Sequence, residues 1–417
     1  MRVKADRLST ISALKPVAQT HQASSKTLRS ANWERLMKLV DGEVRNNRFG
    51  NYIGVRRPFP FPEVGEMNLR TLRLIAPGAL DTACDPGQWL FLDTETTGLA
   101  GGTGTYAFLV GLAWWEKDGL MVEQYFMRDH SEEPSLLMGI LGQLRQRRVL
   151  VTYNGKSFDW PLLQTRFQMT RVGEVPEPLA HLDLLHPARQ IWRLRIGSVA
   201  LERLERRILQ VDRGRDIPSS TIPQRYFDFL RGGSPDAVAE VFYHNQWDLF
   251  GLASLAVRLM HMLGNPKKSD CCPKELFGLS RLLQRRGEEN LAADMYQSAL
   301  QGGLPAEAEQ IAQRELAFMA KRASNFELSN ALWEKLLDHS NEGLRAYEQL
   351  AIYYEHRASS FEKAARLCRD ALVRLQESFH EGNISSLKYR QWHASFNHRL
   401  NRLQAKTEKS VIGCKKR

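Results

Sequence analysis

Residues 89–98 read WLFLDTETTG, and this stretch decides the fold that the sequence predicts. Four apolar residues, enough for a buried strand, are followed by two carboxylates, Asp93 and Glu95. Side chains two positions apart in a strand share a face, so both carboxylates project to one side of the sheet. Like charges this close repel each other unless a cation lies between them, and oxygen ligands favour Mg²⁺ or Mn²⁺. The alternative is a strand that ends in an ordinary polar turn.

Short apolar runs alternate with helical patterns across residues 88–263, which is typical of an α/β domain. The five predicted strands lie near Leu90 and at residues 106–115, 121–126, 149–153 and 181–185. The first three are joined by short turns and are predicted to form an antiparallel meander. The fourth is entered from a helix and is therefore predicted to lie parallel to the first.

Two further carboxylates are expected at the same edge of this sheet. Asp159 follows the fourth strand, and the carboxyl ends of neighbouring parallel strands meet at one edge. As an alternative, Asp159 only complements the dipole of the helix that it begins. Asp248 lies beside the apolar stripe of the long helix at residues 235–263, where a buried charge needs a partner such as a metal ion. The alternative is a solvated Asp248 at the margin of the stripe.

These carboxylates lie in three motifs that resemble the exonuclease motifs of the DEDD superfamily of ribonuclease-H-like 3′–5′ exonucleases. The motifs are Asp93-x-Glu95, Asn154-x-x-x-Phe158-Asp159 and a late helical Asp248. The longer stretch from the GGTGT segment at residue 101 to Leu185 resembles the YprB-type branch, in which this domain is joined to tetratricopeptide repeats. The resemblance covers residues 88 to about 262 and implies a mixed five-stranded sheet with helices on both faces.

The resemblance also implies a substrate, a cofactor and a set of site residues. The metal ligands would be Asp93, Glu95, Asp159 and Asp248, holding two Mg²⁺ or Mn²⁺ ions that cleave a phosphodiester of RNA or single-stranded DNA. The predicted nucleic-acid-binding residues are Thr96, Asn154, Lys156 and Phe158. For Lys156 and the turn at 101–104, a solvated loop is the alternative. A catalytically weak or inactive nucleic-acid-binding scaffold with the same fold is the alternative function.

The general base departs from the pattern of the superfamily, in which it is a histidine five residues before the last aspartate or a tyrosine four before it. Here Tyr243 is five and His244 four residues before Asp248. Four residues turn a helix by about 400°, so His244 lies about 40° from Asp248, whereas Tyr243 lies about 140° away. An imidazole, with an ordinary pKa of about 6.5, also exchanges protons near neutral pH better than a phenol. We predict His244 as the base, with Tyr243 as the alternative.

The C-terminal third is predicted to be a helical repeat. Leu316 recurs as Leu350 after 34 residues, and Phe326 recurs as Phe361 after 35. This period resembles tetratricopeptide repeats, which implies a protein partner for residues 276–375, whereas the alternative is a plain helical bundle. The predicted organisation is a basic N-terminal arm and connector at 1–85, the nuclease-like domain at 86–263, a linker at 264–275, the repeats at 276–375 and a basic C-terminal tail at 376–417.

The net charge of +11 is concentrated at the two ends of the chain. Residues 1–57 hold twelve Lys and Arg against four Asp and Glu, and residues 381–417 hold nine against two. This distribution favours a polyanionic partner such as nucleic acid, although basic ends also aid solubility. The five cysteines show no CxxC spacing, which indicates a reducing compartment. Without an apolar run of membrane-spanning length, we expect a cytoplasmic protein that does not associate with a membrane.

Overall fold

The fold is seen in a computed structural model that describes residues 31–65, 67–98, 104–214, 216–339 and 342–414. The first 30 residues of the predicted N-terminal arm and most of the glycine-rich turn at 101–104 lie outside the described residues. The chain divides into two compact units. The first runs to Arg189 and resumes at Ser198–Asn265, and the second comprises Gln190–Gly197 and the chain from Pro266 onward. In the described part of the chain, no helix has the length and apolar character needed to cross a membrane.

The first unit is built on a mixed sheet of seven strands. The strands are β1 (Glu43–Asn47), β2 (Gly50–Phe59), β3 (Trp89–Thr96), β4 (Ala107–Glu116), β5 (Gly119–Phe126), β6 (Val149–Thr152) and β7 (Ala180–Asp183). Their order is β1-β2-β5-β4-β3-β6-β7. The strands β3, β6 and β7 pair in parallel, and the other pairs are antiparallel. The carboxyl ends of β3 and β6 therefore lie side by side, as the sequence predicts.

The prediction of five strands is wrong, because two strands come from the segment predicted as a connector. Pro58 lies in β2 opposite Met121 of β5, although a proline-rich run such as Pro58–Pro62 opposes regular strand pairing. Proline is tolerated in a sheet where a strand is bonded on one side only. Strand β1 pairs with β2 only as far as Gly54, so the described part of β2 that carries Pro58 pairs with β5 alone.

Helices cover both faces of this sheet. The helices of the unit are α1 (residues 31–40), α2 (Leu69–Ile75), α3 (Glu133–Gln146), α4 (Asp159–Thr170), α5 (Leu185–Ile196, in this unit only to Arg189), α6 (Leu201–Leu204), α7 (Ile222–Leu230) and α8 (Pro235–Gly264). A π-helical turn, Glu205–Leu209, continues α6. Successive residues of a strand point to opposite faces. Because all four residues Trp89–Leu92 of β3 are buried, both faces are shielded from water.

The long helix α8 packs directly against the sheet at Gly111 of β4. A Cβ atom at Gly111 would lie 2.2 Å from Asn245 Oδ1 and 2.7 Å from Leu249 Cδ1, both on α8. In the sheet, Gly111 pairs with Asp93 of β3. The missing side chain therefore lets α8 approach the strand that carries the predicted site.

We expect Gly111→Ala to destabilise the protein by about 1–3 kcal/mol, because the added methyl group forces α8 away from β4. The measurement is urea unfolding followed by circular dichroism. The matched control is Gly142→Ala in α3, where an added Cβ would meet no described atom within 4 Å. There the alanine is expected to stabilise the helix by about 0.5–1 kcal/mol. Equal effects of the two substitutions would contradict the close approach.

The second unit is helical. After the second half of α5, its helices are α9 (Pro273–Arg285), α10 (Glu289–Gly302), α11 (Ala306–Arg322), α12 (Phe326–Leu336), α13 (Gly343–His356), α14 (Phe361–His380) and α15 (Ser386–Cys414). Each helix from α9 to α15 contacts the next one along the chain. The recurring residues Phe326 and Phe361 begin α12 and α14, and Leu316 and Leu350 are buried in α11 and α13. The assignment to tetratricopeptide repeats remains a prediction.

The segment predicted as a basic tail contributes to the core of the second unit. In α15, Phe396 and Leu403 are buried in a cluster with residues of α13 and α14. The buried carboxylate of Glu355 in α13 is bonded by three cations of α15: Arg399, Arg402 and Lys406. Burial raises the pKa of Glu355, but these hydrogen bonds outweigh it and lower the pKa to about 2. Three cations of this segment are therefore already paired within the protein.

Candidate active site

The four predicted carboxylates converge at the carboxyl ends of β3 and β6. Asp93 and Glu95 lie near the end of β3, and Asp159 is the first residue of α4, which follows β6. The Thr94 hydroxyl of β3 donates a hydrogen bond to Asp159 Oδ1, which ties the start of α4 to β3. Asp248 projects from α8, and its charge acts on both Asp93 and Glu95. The parallel pairing of β3 with β6 therefore brings Asp159 to Asp93 and Glu95, and the packing of α8 adds Asp248.

The turn between β6 and α4 is held by Asp183 at the end of β7. Asp183 accepts hydrogen bonds from the backbone N–H groups of Asn154 at 2.8 Å, Lys156 at 3.1 Å and Leu185 at 3.1 Å. Asn154 has a φ of 67°, a left-handed conformation that asparagine tolerates better than most residues. Asp183 is therefore a structural residue that positions the turn leading to Asp159.

A chain of buried amides orients Asp93. The Asn245 side chain donates a hydrogen bond to Asp93 Oδ2 at 2.7 Å, and Gln124 of β5 donates to Asn245 Oδ1 at 2.7 Å. Gln246 donates to Gln124 Oε1 at 2.7 Å. Asn245 and Gln124 are fully buried, so these bonds form away from competing water. Sequence reasoning missed all three amides, although polar residues within buried stretches of β5 and α8 were a signal.

The local environment opposes ionisation of three of the acids. Burial raises the pKa of Asp93 well above its usual range, and repulsion from Asp248 and Asp159 adds to the increase. Burial and repulsion from Asp93 likewise raise the pKa of Glu95. Burial also raises the pKa of Asp159, partly offset by the hydrogen bond from Thr94.

Glu95 Oε1 is buried and has no hydrogen-bond partner among the described residues. A divalent cation fits this set of oxygen donors, since it would satisfy Glu95 and offset the repulsion.

We expect the metal-free protein to lose stability as the pH rises from about 4. The pKa values of Asp93, Glu95 and Asp159 are higher in the folded chain than in the unfolded chain. The folded state therefore binds more protons above the unfolded pKa of about 4, and its stability falls as the pH rises through the raised values. Melting temperatures from pH 5 to 8 in EDTA measure this fall, which Mn²⁺ should reduce. An equal pH dependence with and without Mn²⁺ would contradict the expectation.

Arg213, in the loop between the π-helical turn and α7, brings a cation into the site. Its guanidinium is 4% exposed and contacts Glu205 at 2.6 Å, Asp216 at 3.0 Å and Asp248 Oδ1 at 2.5 Å. Burial raises the pKa of Glu205 to about 7, although the hydrogen bond from Arg213 opposes this. Sequence reasoning missed this cluster. The only signal was the dense charge of residues 212–216, which is also typical of an exposed loop.

Of the two predicted bases, the structure brings His244 to the carboxylates. His244 Nδ1 lies 2.6 Å from Asp216 Oδ1, and Nε2 lies 3.2 Å from Asp248 Oδ2. The ligand atoms of Glu95, His244 and Asp248 all lie within 4.8 Å of one another. The Tyr243 hydroxyl instead donates to the backbone carbonyl of Arg213 at 3.1 Å, and this tyrosine is 41% exposed.

The predicted nucleic-acid-binding residues divide into two pairs. Lys156 is exposed, and Phe158, directly before Asp159, is 55% exposed despite its apolar ring. Thr96 donates its hydroxyl hydrogen bond to the Gly98 carbonyl at 2.9 Å, and Asn154 contributes its backbone N–H to the turn described above. Of these four predicted residues, Lys156 and Phe158 are the two whose side chains are exposed to water beside the acids.

The domain that carries these residues is similar to known proteins. The family model described as the RNase_H superfamily matches residues 90–260, a span that contains all four carboxylates. The chain is also 32% identical over 286 residues to the protein of Bacillus subtilis (strain 168) named "Uncharacterized protein YprB", an alignment that covers 68% of each chain. Residues 90–260 belong to the RNase H superfamily. RNase H-like domains commonly bind nucleic acids, and RNase H-like nucleases generally use divalent metals. Membership is therefore consistent with a nuclease, a phosphodiester hydrolase.

Proposed function

We propose that the first unit is a metal-dependent 3′–5′ exonuclease of the DEDD type, acting on RNA or single-stranded DNA. The observation that carries the proposal is the convergence of Asp93, Glu95, Asp159 and Asp248, with a buried Glu95 Oε1 that lacks a described partner. These four residues would hold two Mg²⁺ or Mn²⁺ ions, which supply an activated water and stabilise the leaving 3′ oxygen.

The surrounding residues of the chain orient this site. Asn245 fixes the Asp93 carboxylate, and Thr94 fixes Asp159, so neither acid rotates when charge develops on the substrate. Of the two predicted proton acceptors, only His244 lies among the carboxylates, because the Tyr243 hydroxyl is bonded to a backbone carbonyl.

The exposed pair beside Asp159 supports binding of a single strand. An exposed aromatic ring such as Phe158 offers a face on which a base stacks, a contact worth about 1–3 kcal/mol. Lys156 offers a positive charge to the adjacent phosphate. Within this proposal, Thr96 and Asn154 contribute to nucleic-acid binding only by fixing the local backbone conformation. The helices at residues 276–375 would serve as a tetratricopeptide-like adaptor for a protein partner.

The test is digestion of 5′-labelled single-stranded RNA and DNA by the full-length protein with Mg²⁺ or Mn²⁺. A 3′–5′ exonuclease produces a ladder that shortens from the 3′ end, and EDTA or a 3′-phosphate block stops it. A preference for one of the two polymers would identify the substrate. Absence of digestion with either metal would refute the enzymatic proposal.

The second candidate function is a nucleic-acid-binding scaffold without turnover. It is favoured by one observation: Arg213 already supplies a permanent positive charge to Asp248. A scaffold would bind single strands with an affinity that falls steeply with salt concentration. Binding unaffected by EDTA, without any digestion, would support it over the exonuclease.

A further inference from the structure

We infer that His244 is a ligand of the divalent metal, that Asp216 is the outer partner of this ligand, and that the site prefers Mn²⁺ to Mg²⁺. The inference rests on the metal site of the proposed function but not on its reaction. The position of His244 in the sequence predicts a proton acceptor, whereas in this inference His244 binds the metal ion.

Glu95, His244 and Asp248 could hold a single ion, because their ligand atoms all lie within 4.8 Å of one another. Two neighbouring ligands of an ion, each about 2.1 Å from it, are separated by about 3 Å. His244 Nε2 and Asp248 Oδ2 lie 3.2 Å apart. Their spacing of four residues on α8 keeps them on one face of the helix. Glu95, the third member of the group, is 8% exposed, and its Oε1 has no partner among the described residues.

The partners of these residues prepare His244 and Asp248 for a metal ion. An ionised Asp216 can only accept, so its contact of 2.6 Å places a proton on His244 Nδ1 and leaves the Nε2 lone pair to a ligand or to the Ser219 hydroxyl, which lies 3.5 Å from Nε2. A histidine that ligates a metal commonly donates its other N–H to a carboxylate in this way. Arg213 bonds the second oxygen of Asp216 at 3.0 Å and Oδ1 of Asp248 at 2.5 Å. Asp248 Oδ2 therefore remains directed at His244 Nε2.

Burial also favours a ligand over a proton acceptor. A proton acceptor must return its proton to water after each reaction, yet the His244 side chain is only 8% exposed. A metal ion at this position would take the Nε2 lone pair and neutralise Asp248 and Glu95 together.

The predicted metal preference follows from the nitrogen ligand. Mg²⁺ favours oxygen ligands, whereas an imidazole nitrogen binds first-row transition metals more strongly. A site with one imidazole and two carboxylates is therefore expected to bind Mn²⁺ more tightly than Mg²⁺. Mn²⁺ is also paramagnetic, so a directly bound ¹⁴N nucleus is visible by pulsed electron paramagnetic resonance.

The experiment measures Mn²⁺ binding to the full-length protein by isothermal titration, Mg²⁺ binding by competition, and ¹⁴N coupling by pulsed electron paramagnetic resonance. The wild type should bind Mn²⁺ at least about tenfold more tightly than Mg²⁺ and show a bound nitrogen. His244→Gln should abolish the nitrogen coupling, and His244→Gln and Asp216→Asn should each weaken Mn²⁺ binding by about 10–100-fold. His261→Gln, at an exposed position of the same helix, should change neither property.

The outcomes distinguish this inference from the proposed function. A wild-type Mn²⁺ complex without nitrogen coupling, or His244→Gln with unchanged Mn²⁺ affinity, would overturn the metal-ligand role. If His244→Gln does not fold, as judged by circular dichroism, the coupling in the wild type and the Mn²⁺ affinity of Asp216→Asn decide the question. Nitrogen-bound Mn²⁺ without digestion would refute the exonuclease alone, and digestion without nitrogen coupling would refute the ligand alone.

Discussion

Asp93→Asn is expected to abolish metal-dependent digestion and, in the absence of metal, to make the protein more stable. The substitution keeps the shape of the side chain but removes one of several carboxylates whose mutual repulsion raises the pKa of Asp93 and Glu95. Because a metal ion contributes several kcal/mol to catalysis, we expect activity to fall by about 1,000-fold or more. Relief of the repulsion should stabilise the metal-free protein by on the order of 1 kcal/mol.

The opposite signs of these two effects make the prediction specific. Activity is measured on the single-stranded oligonucleotides described above, and stability by urea unfolding at pH 8 in EDTA. Added Mn²⁺ should stabilise the wild type by mass action and the variant much less. Asp118→Asn, in the exposed turn between β4 and β5, is the matched control and should alter neither quantity. A variant that digests normally, or that is less stable in EDTA, would contradict the metal site.

Arg213→Met should have the largest effect on stability, a loss of about 3–5 kcal/mol at pH 8. The guanidinium is the shared partner of Glu205, Asp216 and Asp248, and its removal leaves carboxylates that are almost fully or mostly buried without a counter-charge. The loss should be smaller at pH 6, because the pKa of Glu205 is already raised to about 7 and this residue then takes up a proton.

Urea unfolding at pH 6 and pH 8 measures both parts of this expectation. The matched control is Arg206→Met, which breaks an ion pair with Glu202 in which both side chains are more than half exposed. Exposed pairs of this kind contribute about 0.5 kcal/mol or less. If Arg213→Met lowered the free energy of unfolding no more than the control does, or by the same amount at both pH values, the result would contradict a buried ion cluster around Arg213.

The strands and the acids differ in how far they could be predicted. The apolar run before Asp93 and the helix before residue 149 were sufficient for a meander with a parallel fourth strand. Strand β2 was missed because prolines near Pro58 argue against a strand when only local backbone preference is considered. Pairing with β5 on one side overrides that preference. In the same way, the basic residues of α15 were predicted as a free tail, but Glu355 binds three of them.

The sequence by itself determined those properties that depend on neighbours along the chain. Alternation within a strand put Asp93 and Glu95 on one face of the sheet. The helical turn put His244, and not Tyr243, on the same helix face as Asp248. Only the tertiary structure decided which groups meet those residues through space. Asn245 bonds Asp93, which is 152 residues away in the sequence, and Arg213 bonds Asp248, which is 35 residues away. No local sequence periodicity predicts these contacts. Hydrogen bonds and charges act over a few ångströms in space, so the environment of the candidate site follows from the packing of α8 and its loop onto the sheet.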